Sequence, residues 1–469
     1  MNKIDTKKMS LKSSIFCVGV ILFLMIFTYV LTFIIPNGTY ARTFDSSIGY
    51  DIIEIGAEFT PEASNLTWWK FILSPVLVLT IDGNTTLIAV LIFLLILGGT
   101  IAVLKDCDFI NYLIKKLTYK FAKKKYLLMC LFILFFMLLG SFIGSFEEVI
   151  PLVPIITILF VSLGFDEIVG VLVSLVAVGF GFSCGIMNPF TVGLAQTMVG
   201  LQLFSGVWFR ILAFVLFYLL LVGFCFIYAK KVEKKNDNQE TEINQDFKNI
   251  KVLDESIVFF AIVLGLGILF IISSSFITAL QDYTMVIILL VFLIGGIGVG
   301  FITKMKFTKF IKIFLKGILD MLPAVALVLL ASSIRYILIQ GNIQDSIIYE
   351  CIKLTQNVSK EVIVLFMFLL VLFMEIFIPS GSAKAIILIP TLIAIGASSG
   401  ISPQLIIVAF AFGDGFSNIL YPTNVGLLLA LSLSELDYGK YIKKVGILFV
   451  FVLLLSCLLL VFGVVIGYN

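Results

Sequence analysis

The stretch FGDGFSNILYPTNVG, residues 412–426, decides how this chain is read. It lies in an apolar run, yet it carries three glycines, a proline, an aspartate and two asparagines. An earlier stretch, FGFSCGIMNPFTVG at 180–193, keeps the same order. Gly181-Phe182-Ser183 answers Gly415-Phe416-Ser417, Pro189 answers Pro422, and Val192-Gly193 answers Val425-Gly426. The Gly-to-Pro spacing differs by one residue. In hydrocarbon, irregular backbone is tolerated only where protein or a water-filled cavity shelters it. Two matched interruptions therefore predict a polar cavity inside a membrane protein.

Composition supports a lipid setting. Of 469 residues, 61% are hydrophobic and only 13% charged, where soluble chains carry about a quarter charged. There is no histidine, which excludes histidine metal sites and proton relays and argues against a haem or zinc membrane enzyme. The seven cysteines show neither CxxC nor disulfide-framework spacing. No GxxxxGK[ST] segment is present, so ATP-driven transport would need another subunit.

A spanning helix needs about 20 apolar residues. Full-length candidates are 13–35, 84–103, 206–229, 256–274, 283–303, 311–334 and 440–466, and the first reads as a retained helix, not a signal peptide. Segments 167–203 and 402–433 read as broken helices. Segments 126–165 and 360–400 are long, with polar tips midway, and read as re-entrant hairpins. Basic clusters at 3–12, 105–125, 230–251, 304–316 and 440–444 then all fall on the cytoplasmic side. The expectation is an all-α membrane protein with about nine transmembrane helices and two re-entrant hairpins. Its N-terminus is inside and its C-terminus outside. Segment 36–83 is then an acidic external loop, and Arg210 and Arg335 snorkel near helix ends.

The two halves repeat this order. Residues 1–229 form the first unit, 230–282 a cytoplasmic loop with a connector helix, and 283–469 the second unit. The amphipathic pieces 108–122 and 342–356 lie in the membrane plane. One interposed helix inverts the second unit, an arrangement characteristic of secondary transporters.

The polar positions at the four interruptions form the candidate substrate site. The first hairpin tip supplies Gly144, Ser145, Glu147 and Glu148, and the first break supplies Ser183, Asn188, Pro189 and Thr191. The second tip supplies Ser380, Gly381, Ser382 and Lys384, and the second break supplies Asp414, Ser417, Asn418, Pro422, Thr423 and Asn424. Half-helix N-termini attract carboxylates, and free carbonyls at half-helix C-termini hold cations. That pairing suits a zwitterionic or carboxylate-bearing solute. Lys384 is placed to neutralise Glu375 or Asp414. Asp320, just before Met321-Leu322-Pro323, reads either as a cation ligand or as a bond to backbone at a kink.

These stretches carry a resemblance. GSFEEVIPLVP (144–154), IMNPFTVGLAQ (186–196), GLQLFSGVWFR (200–210), IPSGSAKAIILIP (378–390) and FGDGFSNILYPT (412–423) resemble the YfcC family, which is grouped with anaerobic four-carbon dicarboxylate carriers. The resemblance implies an elevator-type transporter of the ion transporter superfamily, in which hairpins and broken helices move across a scaffold of the other helices. It suggests dicarboxylates through one branch and arginine/ornithine-type exchange through another. Lys384 departs from the neutral polar residue expected there, so ion coupling does not carry over directly. The expectation is a bacterial inner-membrane secondary transporter of small amino acids or related carboxylates. Basic amino acid exchange comes first, with a dicarboxylate carrier as the alternative and a channel or intramembrane enzyme behind both. Partners are a small-molecule solute and the bilayer, not nucleic acid. No cofactor is expected, and a coupling Na+ or H+ and a homodimer both stay open.

Overall fold

The computed structural model describes residues 11–40, 42–45, 50–53, 59–81, 85–121, 124–144, 146–233, 250–274, 284–343, 345–347 and 358–469. Nearly all of this is helix. In the first half the helices are α1 (Leu11–Ile34), α2 (Trp68–Leu77), α3 (Thr85–Asp106), α4 (Phe109–Phe121), α5 (Lys125–Ile143), α6 (Val153–Ser162), α7 (Glu167–Val171), α8 (Ala177–Cys184), α9 (Leu194–Met198) and α10 (Val207–Val232). In the second half they are α11 (Lys251–Ser274), α12 (Thr284–Ile302), α13 (Phe307–Asp320), α14 (Leu322–Gln340), α15 (Lys360–Met374), α16 (Gly381–Ser399), α17 (Pro403–Asn418), α18 (Val425–Leu433) and α19 (Tyr438–Val465). A π turn at Leu172–Val176 joins α7 to α8, and another at Pro189–Gly193 leads into α9.

Among the described residues, four helices are long and apolar enough to cross a membrane: Lys125–Ile143, Glu167–Met198 with its interruption, Val207–Val232 and Tyr438–Val465. Helix α10 explains why lipid suits them. Its buried stripe, Phe209, Ala213, Phe217, Leu221, Cys225 and Ala229, recurs every four residues and faces the core. Its other faces expose Trp208, Ile211, Val215, Leu219 and Ile227, which water would not tolerate as a continuous patch.

Both 126–165 and 360–400 turn back on themselves. Tyr126 and Phe165 meet at 5.6 Å, and Phe132 meets Phe160 at 6.1 Å, so α5 and α6 run antiparallel. Lys360 at the start of α15 donates to the Gly400 carbonyl just past α16, at 3.1 Å. The two mouths lie at opposite ends of α10, which at 1.5 Å per residue is about 39 Å long. At its C-terminal end Glu233 takes Lys125 and Tyr126, each at 2.5 Å. At its N-terminal end Ser205 accepts from Gln404 and Gly206 accepts from Tyr468, also at 2.5 Å. Tyr468 in turn lines one pocket with Lys360 and Gly400.

Small residues let these segments touch main chain to main chain. A Cβ on Gly181 would stand 1.9 Å from the Met137 carbonyl oxygen, and one on Gly140 2.2 Å from that of Val178. A Cβ on Gly415 would stand 2.4 Å from the Ser183 Cα. Packing follows one pattern in both halves. Helix α5 packs on α8 as α15 packs on α17, and α10 covers the first pair as α19 covers the second. The large core spans α5–α10 and α15–α19 and takes in faces of α1 and α14. A smaller core gathers Leu97, Leu104, Phe109, Phe260, Phe292 and Val299 from α3, α4, α11 and α12.

Three expectations change. The helix expected at 311–334 is two helices meeting at Met321, because Pro323 has no N–H and Met321 bonds back to Ile318, three residues before it. Segment 36–83 is more than a loop: strands 38–40 and 59–61 pair, strands 42–45 and 50–53 pair, and α2 follows. Arg210 does not snorkel; it is wholly buried. The piece at 108–122 is the helix α4, whereas most of 342–356 and of the loop 232–254 falls outside the described residues.

Candidate functional site

The first break opens where α8 ends. Ser183 is still helical, its hydroxyl donating to the Gly179 carbonyl at 2.7 Å. Residues 185–188 leave the helix, and the first hairpin tip braces them. Ser141 accepts from the Ile186 N–H at 3.0 Å through its hydroxyl and from the Met187 N–H at 3.0 Å through its carbonyl. Gly144 ends α5 at φ +73°, and a Cβ there would meet Asn188 Oδ1 at 2.4 Å, so glycine is required on both counts. Asn188 caps the π turn after Pro189, accepting from the Phe190 N–H at 2.9 Å. Its Nδ2 and the Thr191 hydroxyl are buried and have no hydrogen-bond partner among the described residues.

The second break is charged. Asp414 and Ser417 lie inside α17, and the irregular stretch is 419–424. Lys384, in the first turn of α16, forms ion pairs with both Glu375 and Asp414, the latter at 2.8 Å. All three side chains are completely buried. Asn424 caps α18 by accepting from the Leu427 N–H at 3.0 Å, and its Nδ2 donates to Asn418 Oδ1 at 2.6 Å. Asn424 and Thr423 also reach Glu375, each at 3.5 Å. Ser417 bonds the carbonyls of Gly413 and Asp414. Asp414 Oδ2 is left buried without a hydrogen-bond donor, against Gly381.

The halves meet where Gly415 lies on Ser183 and Phe180 packs on Phe416 at 5.3 Å. Each break also touches the other hairpin: Pro189–Gly193 packs on α16, and α18 packs on the 3-10 turn Glu147–Leu152. Pro422 and Thr423 are buried in the second break, while Ser380 is exposed at its tip. Glu147 is exposed at the first tip, near enough to feel the charge of Asp414. Ser145, and the side chains of Glu148 and Ser382, fall outside the described residues.

Several carbonyls beyond the ends of α8 and α17 accept from side chains. Tyr441 donates to the Ile419 carbonyl at 2.6 Å and Tyr438 to that of Leu420 at 2.8 Å. Arg210 donates to the Ile186 and Phe204 carbonyls at 3.3 and 3.2 Å. Buried polar backbone must be satisfied, and here side chains from α10 and α19 do it. Sequence reading missed Ser141, Tyr438 and Tyr441 in this role. Asp320 is exposed at the end of α13, away from these groups.

The family profile that matches is DcuC, C4-dicarboxylate anaerobic carrier, over residues 15–465. A relative in Escherichia coli (strain K12), YfcC, named as a candidate basic amino acid antiporter, is 28% identical over 405 residues, covering 82% of this chain and 79% of its own. A Haemophilus influenzae protein named only as uncharacterized is 24% identical over 398 residues, covering 81% of this chain and 76% of its own. Among solved structures, the Alcanivorax borkumensis YdaH transporter is 18% identical at a TM-score of 0.44, covering 96% of this chain and 99% of its own. MtrF of Neisseria gonorrhoeae, described as an antimetabolite efflux pump, is 16% identical at a TM-score of 0.48, covering 95% and 94%.

Proposed function

The chain belongs to the C4-dicarboxylate anaerobic carrier family, and on that premise we propose that this membrane transporter exchanges basic amino acids. One observation carries the substrate reading. The two breaks leave opposite groups unsatisfied: a donor, Asn188 Nδ2, with the Thr191 hydroxyl in the first, and an acceptor, Asp414 Oδ2, in the second. A buried polar atom without a partner costs about 1–3 kcal/mol, so a dipolar solute that satisfies both ends is favoured. Its carboxylate goes to Asn188 and Thr191, and a cationic group goes to Asp414 beside the accessible Glu147. A four-carbon dicarboxylate would match the first end and be repelled at the second. The name carried by YfcC agrees with this choice.

In this reading the chain crosses the inner membrane nine times, with hairpins 126–165 and 360–400 re-entering from opposite sides as inverted repeats. The elevator unit comprises the hairpins, the broken helices and also α10 and α19, since both are clasped to hairpin mouths and breaks. Proteoliposome counterflow tests the function. Uptake of labelled arginine is saturable and is driven by internal ornithine but not by internal succinate. Uptake driven by succinate alone selects the dicarboxylate reading, and non-saturable flux refutes a carrier.

A further inference from the structure

We propose that Lys384 is a built-in counter-ion that releases this carrier from coupling to Na+ or H+ and makes it an obligatory exchanger. The inference rests on the site being the solute pocket, and it adds what drives the cycle. Glu375 and Asp414 come from separate segments, the second hairpin tip and α17, and both are completely buried. Two carboxylates so placed cannot both stay charged without a cation. A proton, a diffusible metal ion or a tethered ammonium can serve. Here the Lys384 ammonium stands between them, touching Glu375 and lying 2.8 Å from Asp414.

The ammonium is also positioned by its own backbone. The Lys384 N–H donates to the Ser380 carbonyl at 2.9 Å, which seats the residue in the first turn of α16. The second tip therefore closes on α17 in every cycle, whatever ions are outside. Within the buried cluster the tethered charge leaves one negative charge over, because two buried carboxylates face one ammonium, while the nearby Glu147 is exposed. The open Asp414 Oδ2 marks where that charge is unmet. A cationic group on the solute supplies the balance. An empty site keeps the unbalanced charge in a low-dielectric interior, which opposes the return of the empty carrier. Exchange follows, since the return step needs a second solute.

Counterflow of arginine against ornithine separates these statements. In wild-type proteoliposomes the rate should stay within about twofold when Na+ is replaced by choline on both sides, and when the pH difference across the membrane is abolished. Lys384→Met should lose at least about tenfold in choline medium and regain rate when Na+ is raised or the medium is acidified, because a diffusible cation then fills the vacated place. A wild-type rate that collapses without Na+, or that follows a pH gradient, overturns the proposal. So does Lys384→Met exchanging at the wild-type rate in choline. The wild-type arm decides even where the variant does not fold. Absence of any amino acid exchange by the wild type refutes the pocket reading instead.

Discussion

The two interruptions occupy matching places in the chain and are built alike, yet they leave different chemistry open. In both, a serine bonds back one turn and an asparagine caps the following helical turn. In both, side chains from a long neighbouring helix close the freed carbonyls. The first then presents uncharged, unpaired polar atoms at Asn188 and Thr191, and the second holds an ion cluster with one open carboxylate oxygen. The backbone arrangement is alike in the two, and the side-chain chemistry is not. In the proposed reading such a site has a direction, with each end of a dipolar solute assigned to one half.

Four changes break or sharpen that contrast. The largest effect belongs to Asp414→Asn, which removes the negative charge, turns one carboxylate oxygen into a donor and breaks half of the Lys384 ion pairing. Counterflow of arginine should fall by at least about a hundredfold, the scale of breaking a buried charge pair, with folded protein still present by size-exclusion chromatography. Asn188→Ala should raise the apparent half-saturation for arginine by about ten- to a hundredfold. Competition by the decarboxylated amine should hardly change, since it lacks the group Asn188 holds; equal losses for both ligands would dissolve the contrast. Gly181→Val drives a side chain into the Met137 carbonyl and should cost about 1–3 kcal/mol in stability, read as a lowered melting temperature in detergent. Tyr441→Phe leaves the Ile419 carbonyl without its donor. A loss of about 1–2 kcal/mol is expected, with solute selectivity unchanged.

The interruptions were legible because hydrocarbon forbids unpaired backbone, so Gly and Pro inside apolar runs announce themselves. The reversals within 126–165 and 360–400 coincide with the polar tips midway along each. Lys384 was correctly suspected of pairing, but one-dimensional spacing cannot tell that it meets Glu375 and Asp414 together. Tyr438 and Tyr441 were overlooked because they open α19, about twenty residues beyond the carbonyls they satisfy. Arg210 misled because an arginine in the first turn of an apolar helix ordinarily reaches outward. Its inward turn answers the carbonyls of Phe204, six residues upstream, and of Ile186, which the fold brings near. The seam at Met321 had its signal in Pro323, and α2 was too short for any window tuned to spanning lengths.

The glycine contacts weld the first hairpin, α8 and α17 along their peptide planes. A weld has no rotamers, so nothing within it can click between two settings. The border with the smaller core is built differently: there Leu139, Ile143, Leu152 and Ile158 lie against the cluster around Phe109 and Phe260. Apolar side chains meet there in place of peptide planes, so for the proposed elevator motion that border, and not the weld, is the surface to slide along.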